Sequence, residues 1–129
     1  FLEGGATWVP FMMDRLDRSY HDGHVQMDVH GNRLGGPAPG EKASDYFKTQ
    51  LREGRIFVGF DCDDDGLNTA VAKGGRQSFL FGSDFPHEVF DAAKCRHEID
   101  ELLARDDLTQ EDKEAVLGGN ALSFYRPGL

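Results

Sequence analysis

Two short apolar runs constrain this chain most. Ile56-Phe57-Val58-Gly59-Phe60 and Phe79-Leu80-Phe81-Gly82 are continuous rather than alternating. A strand with one wet face alternates apolar and polar residues, whereas a strand covered on both faces does not. Both runs therefore read as strands of a parallel sheet, which needs helices over its faces. Phe1-Leu2 reads as the end of a third such strand.

The intervening segments carry helical periodicity. Val9, Met12, Met13, Leu16 and Tyr20 share one stripe, with Asp14, Arg15, Asp17 and Arg18 opposite. Pro10 sits near the start, where a missing N–H costs little. Ala43, Tyr46, Phe47 and Leu51 form a second helix, with Ser44 as the expected N-cap and Gly54 as the end. Leu67 to Lys73 predicts a short helix stopping at Gly74-Gly75. Val89, Ala92, Ala93, Arg96, Ile99, Leu102 and Leu103 outline the longest one. Thr109-Gln110-Glu111-Asp112 resembles a capping box, opening a helix expected to end at Gly118-Gly119. Asn120 is then expected to cap a last helix through Tyr125, closed by Pro127. Residues 22–40 hold five glycines and two prolines and read as a long surface loop.

Strands alternating with helices predict an α/β fold. The chain has 129 residues, whereas a complete (β/α)8 barrel takes about 250. The expectation is one partial-barrel domain over 1–129: about three β/α units from the C-terminal part of a TIM-like (β/α)8 barrel, parallel strands with flanking helices. The chain begins at Phe1 rather than Met, so a processed N-terminus or the tail of a longer protein is expected.

Charge narrows the partners. Fourteen Lys and Arg stand against 23 Asp and Glu, for a net charge of −9. Such a surface repels phosphate backbones, which excludes nucleic acid as a general partner. No apolar run approaches the roughly 20 residues that span a bilayer. Cys62 and Cys95 have neither metal-binding nor redox spacing, so a reduced, cytoplasmic setting is expected.

Each apolar run leads to a carboxylate: Glu3, Asp61, and, through Ser83, Asp84. Ligands of parallel α/β folds bind beyond the C-terminal strand ends. Three acids gathered there would hold a divalent cation or lift one another's pKa. In Ser83-Asp84-Phe85-Pro86-His87, Asp84 follows a buried strand at once, which suits a metal ligand or general base, and His87 is a second ligand or proton carrier. The plainer alternative makes Asp84 the cap of the next helix and His87 a solvated residue. Asp61-Cys62-Asp63-Asp64-Asp65-Gly66 fits the opening of a calcium loop, with Asp61, Asp63 and Asp65 as ligands. Its twelfth position is Ala72 instead of a bidentate glutamate, and a solvated acidic turn is the alternative. His21, His24 and His30 lie in or beside the loop and read as exposed.

Three segments, in order, carry a family resemblance. Phe1-Leu2-Glu3-Gly4-Gly5-Ala6-Thr7-Trp8-Val9-Pro10-Phe11, followed by Asp14-Arg15-Leu16-Asp17, resembles the sixth strand and helix of the amidohydrolase-2 family. This is the branch that includes aminocarboxymuconate-semialdehyde decarboxylase and γ-resorcylate decarboxylase. Phe81 to His87 resembles its eighth strand, and Gly118-Gly119-Asn120-Ala121 through Tyr125 its closing helix. The resemblance implies a distorted (β/α)8 barrel with a divalent metal, often zinc, and a small-molecule substrate that is hydrolysed or decarboxylated without oxidation. It implies that Asp84 binds the metal and shuttles protons, with Glu3 and His87 as weaker metal neighbours and Trp8 near the pocket. Glu3 stands where many decarboxylases of the family carry a histidine. The family's His-x-His pair and strand-five histidine have no counterpart here, so the chain alone is expected to be inactive. Two alternatives stand beside this: a non-catalytic α/β module that self-associates through its open sheet edges into a homo-oligomer, and a small acidic calcium-binding domain.

Overall fold

The computed structural model describes residues 4–21, 27–87 and 91–125, with the backbone alone for His21. Helix α1 spans Trp8–His21 and α2 Ala43–Arg52; β1 is Val58–Phe60, α3 Leu67–Gly74, and β2 Phe79–Phe81 after a 3-10 turn at Arg76–Ser78. Helix α4 spans Ala92–Ala104, and α5, Gln110–Glu114, runs through a π-helical stretch, Ala115–Gly119, into α6, Asn120–Tyr125. The expected strands are therefore present but shorter. The Phe1-Leu2 run lies outside the described residues.

The strands pair in parallel, with Val58 opposite Phe79 and Phe60 opposite Phe81. The chain thus has an α/β fold, with a two-stranded parallel sheet among the described residues. Parallel neighbours need a crossover, which α3 supplies. One apolar cluster joins the layers: Val9 of α1, Phe47 and Leu51 of α2, Val58 and Phe60, Leu67 and Val71 of α3, Phe79, Leu102 of α4, and Val116. Phe79, Leu51, Leu67 and Leu102 are fully buried. Each such side chain contributes about 1.5–3 kcal/mol, against about 0–1 kcal/mol for an exposed ion pair such as Arg18–Asp14. The cluster, not the surface charges, holds the helices to the sheet.

Two capping readings, for α2 and α4, are corrected. Ser44 is not the N-cap of α2, a place taken by Lys42, which makes no side-chain cap bond. Ser44 lies inside the first turn, and its N–H and hydroxyl both donate to the Asp17 carboxylate at 2.7 Å. The capping acceptor thus comes from α1, which a local reading of sequence misses. Asp84 does not cap α4: Asp91 does, accepting the Lys94 N–H at 2.8 Å. Val89, expected inside that helix, lies outside the described residues.

The Thr109–Asp112 capping box is present. Beyond it, Gly118-Gly119 does not end the helix, and Asn120 has helical dihedrals rather than those of a cap. Each interior glycine costs about 1 kcal/mol relative to alanine. The stretch survives because Val116 is buried in the core and Asn120 is fastened: its Nδ2 donates to the Arg76 carbonyl at 2.6 Å and the Phe79 carbonyl at 2.8 Å. The extra residue of the π-helical stretch is where such a helix absorbs a register mismatch.

The glycine- and proline-rich stretch is irregular where described. Its one bridge pairs Met27 with Arg33 across a turn bonded by Asp28, and Pro37 is buried, its carbonyl accepting from Tyr20 and Arg33.

Candidate active site

The register ends both strands at one edge, and the Gly82 N–H extends the ladder by donating to the Phe60 carbonyl at 3.1 Å. Beyond that edge lies a cleft of about 360 Å³. Asp61, Cys62 and Asp63 line it from the loop after β1, and Gly82, Ser83 and Asp84 from the segment after β2. Helix α4 closes the third side with Lys94, His97, Glu98 and Glu101. The place is the one expected for a ligand of parallel strands.

Asp84 is exposed at the rim, in the left-handed region with φ 52°. Aspartate tolerates that conformation better than most residues, yet it is uncommon and clusters at functional positions. The Asp84 carbonyl accepts the His87 N–H, and the Ser83 hydroxyl accepts the Phe85 N–H at 3.4 Å. Asp84 therefore sits in a tight, internally bonded turn that leads directly from the sheet.

Five carboxylates surround the cleft, and their field is visible in Cys62. Its thiol is pushed up to about 11, first by burial and then by Glu98, Glu101 and Asp63. The Cys62 Sγ donates to Glu101 Oε2 at 3.7 Å. At neutral pH it is a protonated thiol, not a nucleophile. His97 Nε2 lies 3.5 Å from Glu101 Oε1, one helical turn along α4.

The other candidates are placed as follows. Trp8 does not line the cleft; its ring packs edge-on against Phe47, with centroids 6.1 Å apart. His87 is exposed in the turn after Asp84 and does not line the cleft either. Glu3 and His24 lie outside the described residues, as does the side chain of His21, and His30 is exposed. In the acidic turn the Asp64 carboxylate, which is not part of the calcium pattern, is fastened by three hydrogen bonds. It accepts from the Ala6 N–H, the Thr7 hydroxyl at 3.0 Å and the Gly66 N–H at 2.9 Å. Arg105 Nη1 donates to the Asp64 carbonyl at 2.8 Å. The segment is a hydrogen-bonded acidic turn.

Sequence reading missed the α4 wall and Asp64. Lys94, His97, Glu98 and Glu101 recur at i, i+3, i+4 and i+7, a polar stripe on α4 that was legible. Asp64 stands two residues before Gly66, the spacing of an Asx turn.

Among the described residues, no three His, Cys, Asp or Glu side chains are arranged to hold a metal ion. The donors present do not by themselves fit a metal centre, because a zinc site takes three or four protein ligands.

A family model described as amidohydrolase matches residues 4–126. The chain belongs to the amidohydrolase-2 family. This gives the amidohydrolase a hydrolase-type function and small-molecule substrates, and members of the family are generally metal-dependent. No curated protein and no solved structure matches the chain. No helix among the described residues is long and apolar enough to cross a membrane.

Proposed function

We propose that the chain supplies units six to eight of a (β/α)8 amidohydrolase, and that the parent enzyme hydrolyses its substrate in the cleft beyond β1 and β2. The supporting observation is the shared strand edge, from which Asp84 leads straight to the cleft. A barrel also resolves the sheet: two strands alone are marginal, and closure removes their open edges. Asp84 is the general acid/base. It takes a proton from the attacking water and delivers it to the leaving group. It also offers one carboxylate to a divalent metal, zinc by family expectation, whose other donors lie outside the described residues. Glu3 is a second-rank neighbour of that metal; His87, exposed in the turn after Asp84 and outside the cleft lining, has no place at it. By itself the chain is inactive. Glu3 in place of a family histidine favours hydrolysis over non-oxidative decarboxylation. Two free cysteines suit a cytoplasmic setting.

Elemental analysis of protein purified from the complete reading frame, beside Asp84→Asn, tests this. Bound divalent metal in the parent and its loss in the variant are expected. Equal metal in both, or none in the parent, overturns the assignment.

Exposed Phe11, Leu122 and Tyr125 favour a second reading, a non-catalytic module that self-associates into a homo-oligomer. Light scattering that shows a well-folded monomer refutes it.

A further inference from the structure

The loop after β1 is fastened from two sides. On one side, the Asp64 carboxylate accepts from Ala6, Thr7 and Gly66, tying this loop to the segment that leads into α1. On the other, Arg105 Nη1 donates to the Asp64 carbonyl at 2.8 Å and reaches the Cys62 carbonyl at 3.5 Å. Asp107 holds Arg105 in turn with two bonds, Nε to Oδ1 at 2.9 Å and Nη2 to Oδ2 at 2.8 Å. The Arg105 side chain is only 16% exposed, so the clamp is largely shielded from solvent.

Two glycines make room for the contact. A Cβ on Gly5, which has φ +61°, would sit 2.7 Å from Asp64 Oδ2. One on Gly66 would collide with the Thr7 hydroxyl and lie 3.2 Å from Thr7 Cα, a backbone atom that cannot swing aside. The two loops therefore interlock at the level of the main chain.

This arrangement opposes a force. Asp61 and Asp63 share the cleft with Asp84, Glu98 and Glu101, and Lys94, the one lysine or arginine among the described residues of its lining, offsets a single one of these five charges; the like charges left over repel at such range. Unrestrained, the loop would move outward to lower that repulsion. We propose that Asp64 is a positioning residue: it locks the loop after β1 onto the segment before α1, and so holds Asp61, Cys62 and Asp63 as one wall of the cleft. The inference rests on this cleft being the working site.

Cys62 reports on the wall, since it lines the cleft beside Glu101. In a Cys95→Ala background of the full chain, its alkylation by iodoacetamide is timed under native conditions at one fixed pH. The parent is compared with Asp64→Ala, Asp64→Asn and Val116→Ala. Asp64→Ala is expected to raise the rate about tenfold, by exposing the thiol and separating it from the α4 carboxylates. Asp64→Asn, which keeps one acceptor oxygen for Thr7 and Gly66, should recover part of the slow rate. Val116→Ala weakens the core without touching the lock and should leave the rate within about twofold. An unchanged rate in Asp64→Ala overturns the proposal, and so does an equal rise in Val116→Ala, which would mean general loosening. Should Asp64→Ala not fold, Thr7→Val, which removes one bond of the lock, decides between the same results with a rise of about threefold expected. The assay uses neither metal nor substrate. Its failure leaves the Asp84 assignment standing, and the failure of that assignment leaves the lock standing.

Discussion

Replacing Asn120 tests the physics that joins the last helix to the sheet. Asn120 is 7% exposed, and its amide donates to two main-chain carbonyls, of Arg76 and Phe79. Alanine removes both bonds. Each is worth about 1 kcal/mol net, and more where the carbonyl left behind stays dry. Alanine's better helix propensity returns about 0.6 kcal/mol. The expected loss is about 1.5–3 kcal/mol, or roughly 5–12 °C in Tm for a domain of this size. Asn120→Asp is more informative because it is nearly isosteric. A carboxylate cannot donate, so it would face two carbonyl oxygens with its own negative charge in a buried place. It should cost about 1–2 kcal/mol more than alanine at neutral pH. The excess should shrink in acid, as protonation restores one donor. Urea unfolding followed by circular dichroism measures both. If Asn120→Asp is as stable as Asn120→Ala at neutral pH, the two bonds do not carry the attachment of α6.

Two further expectations follow from the same reasoning. Burial works to raise the Asp17 pKa, but the Ser44 N–H and hydroxyl, with Lys42, outweigh it and leave the group lowered. A carboxylate lowered in the folded state stabilises above its unfolded pKa of about 3.9 and loses that contribution as pH falls through the folded value. Asp17→Asn should therefore cost about 1 kcal/mol at neutral pH, discounted for partial exposure, with the difference closing below about pH 4. A pH-independent difference in urea midpoint contradicts this. Gly66→Ala should destabilise by about 1–3 kcal/mol through its clash with Thr7. Gly35→Ala, with nothing within 4 Å of the added carbon, should stay within about 0.5 kcal/mol. Equal thermal midpoints for the two variants would show that the interlock tolerates a side chain.

Local chemistry determined much of this molecule. The apolar runs at Ile56–Phe60 and Phe79–Gly82 pointed to covered strands, because a strand with one wet face would alternate, and the parallel pair has Val58, Phe60 and Phe79 buried. The stripe from Val9 to Tyr20 specified α1, and Thr109 with Asp112 specified the start of α5, because a capping box is satisfied within four residues. That Asp84 follows a strand end was equally legible, since it needs only the strand's direction.

Only the tertiary structure decided which partners meet across distance. Ser44 looked like a cap, but Asp17, a distant residue on α1, supplies the acceptor. Gly118-Gly119 looked like a stop, but core packing of Val116 and two bonds from Asn120 carry the helix through it. In the run of acids from Asp61 to Asp65, spacing singled out alternate residues, whereas the fold uses Asp64, because the N–H groups and hydroxyl it binds belong mainly to a segment some sixty residues away. Hydrogen-bond capacity is written in the sequence, but which donor arrives at a given acceptor depends on how the layers pack.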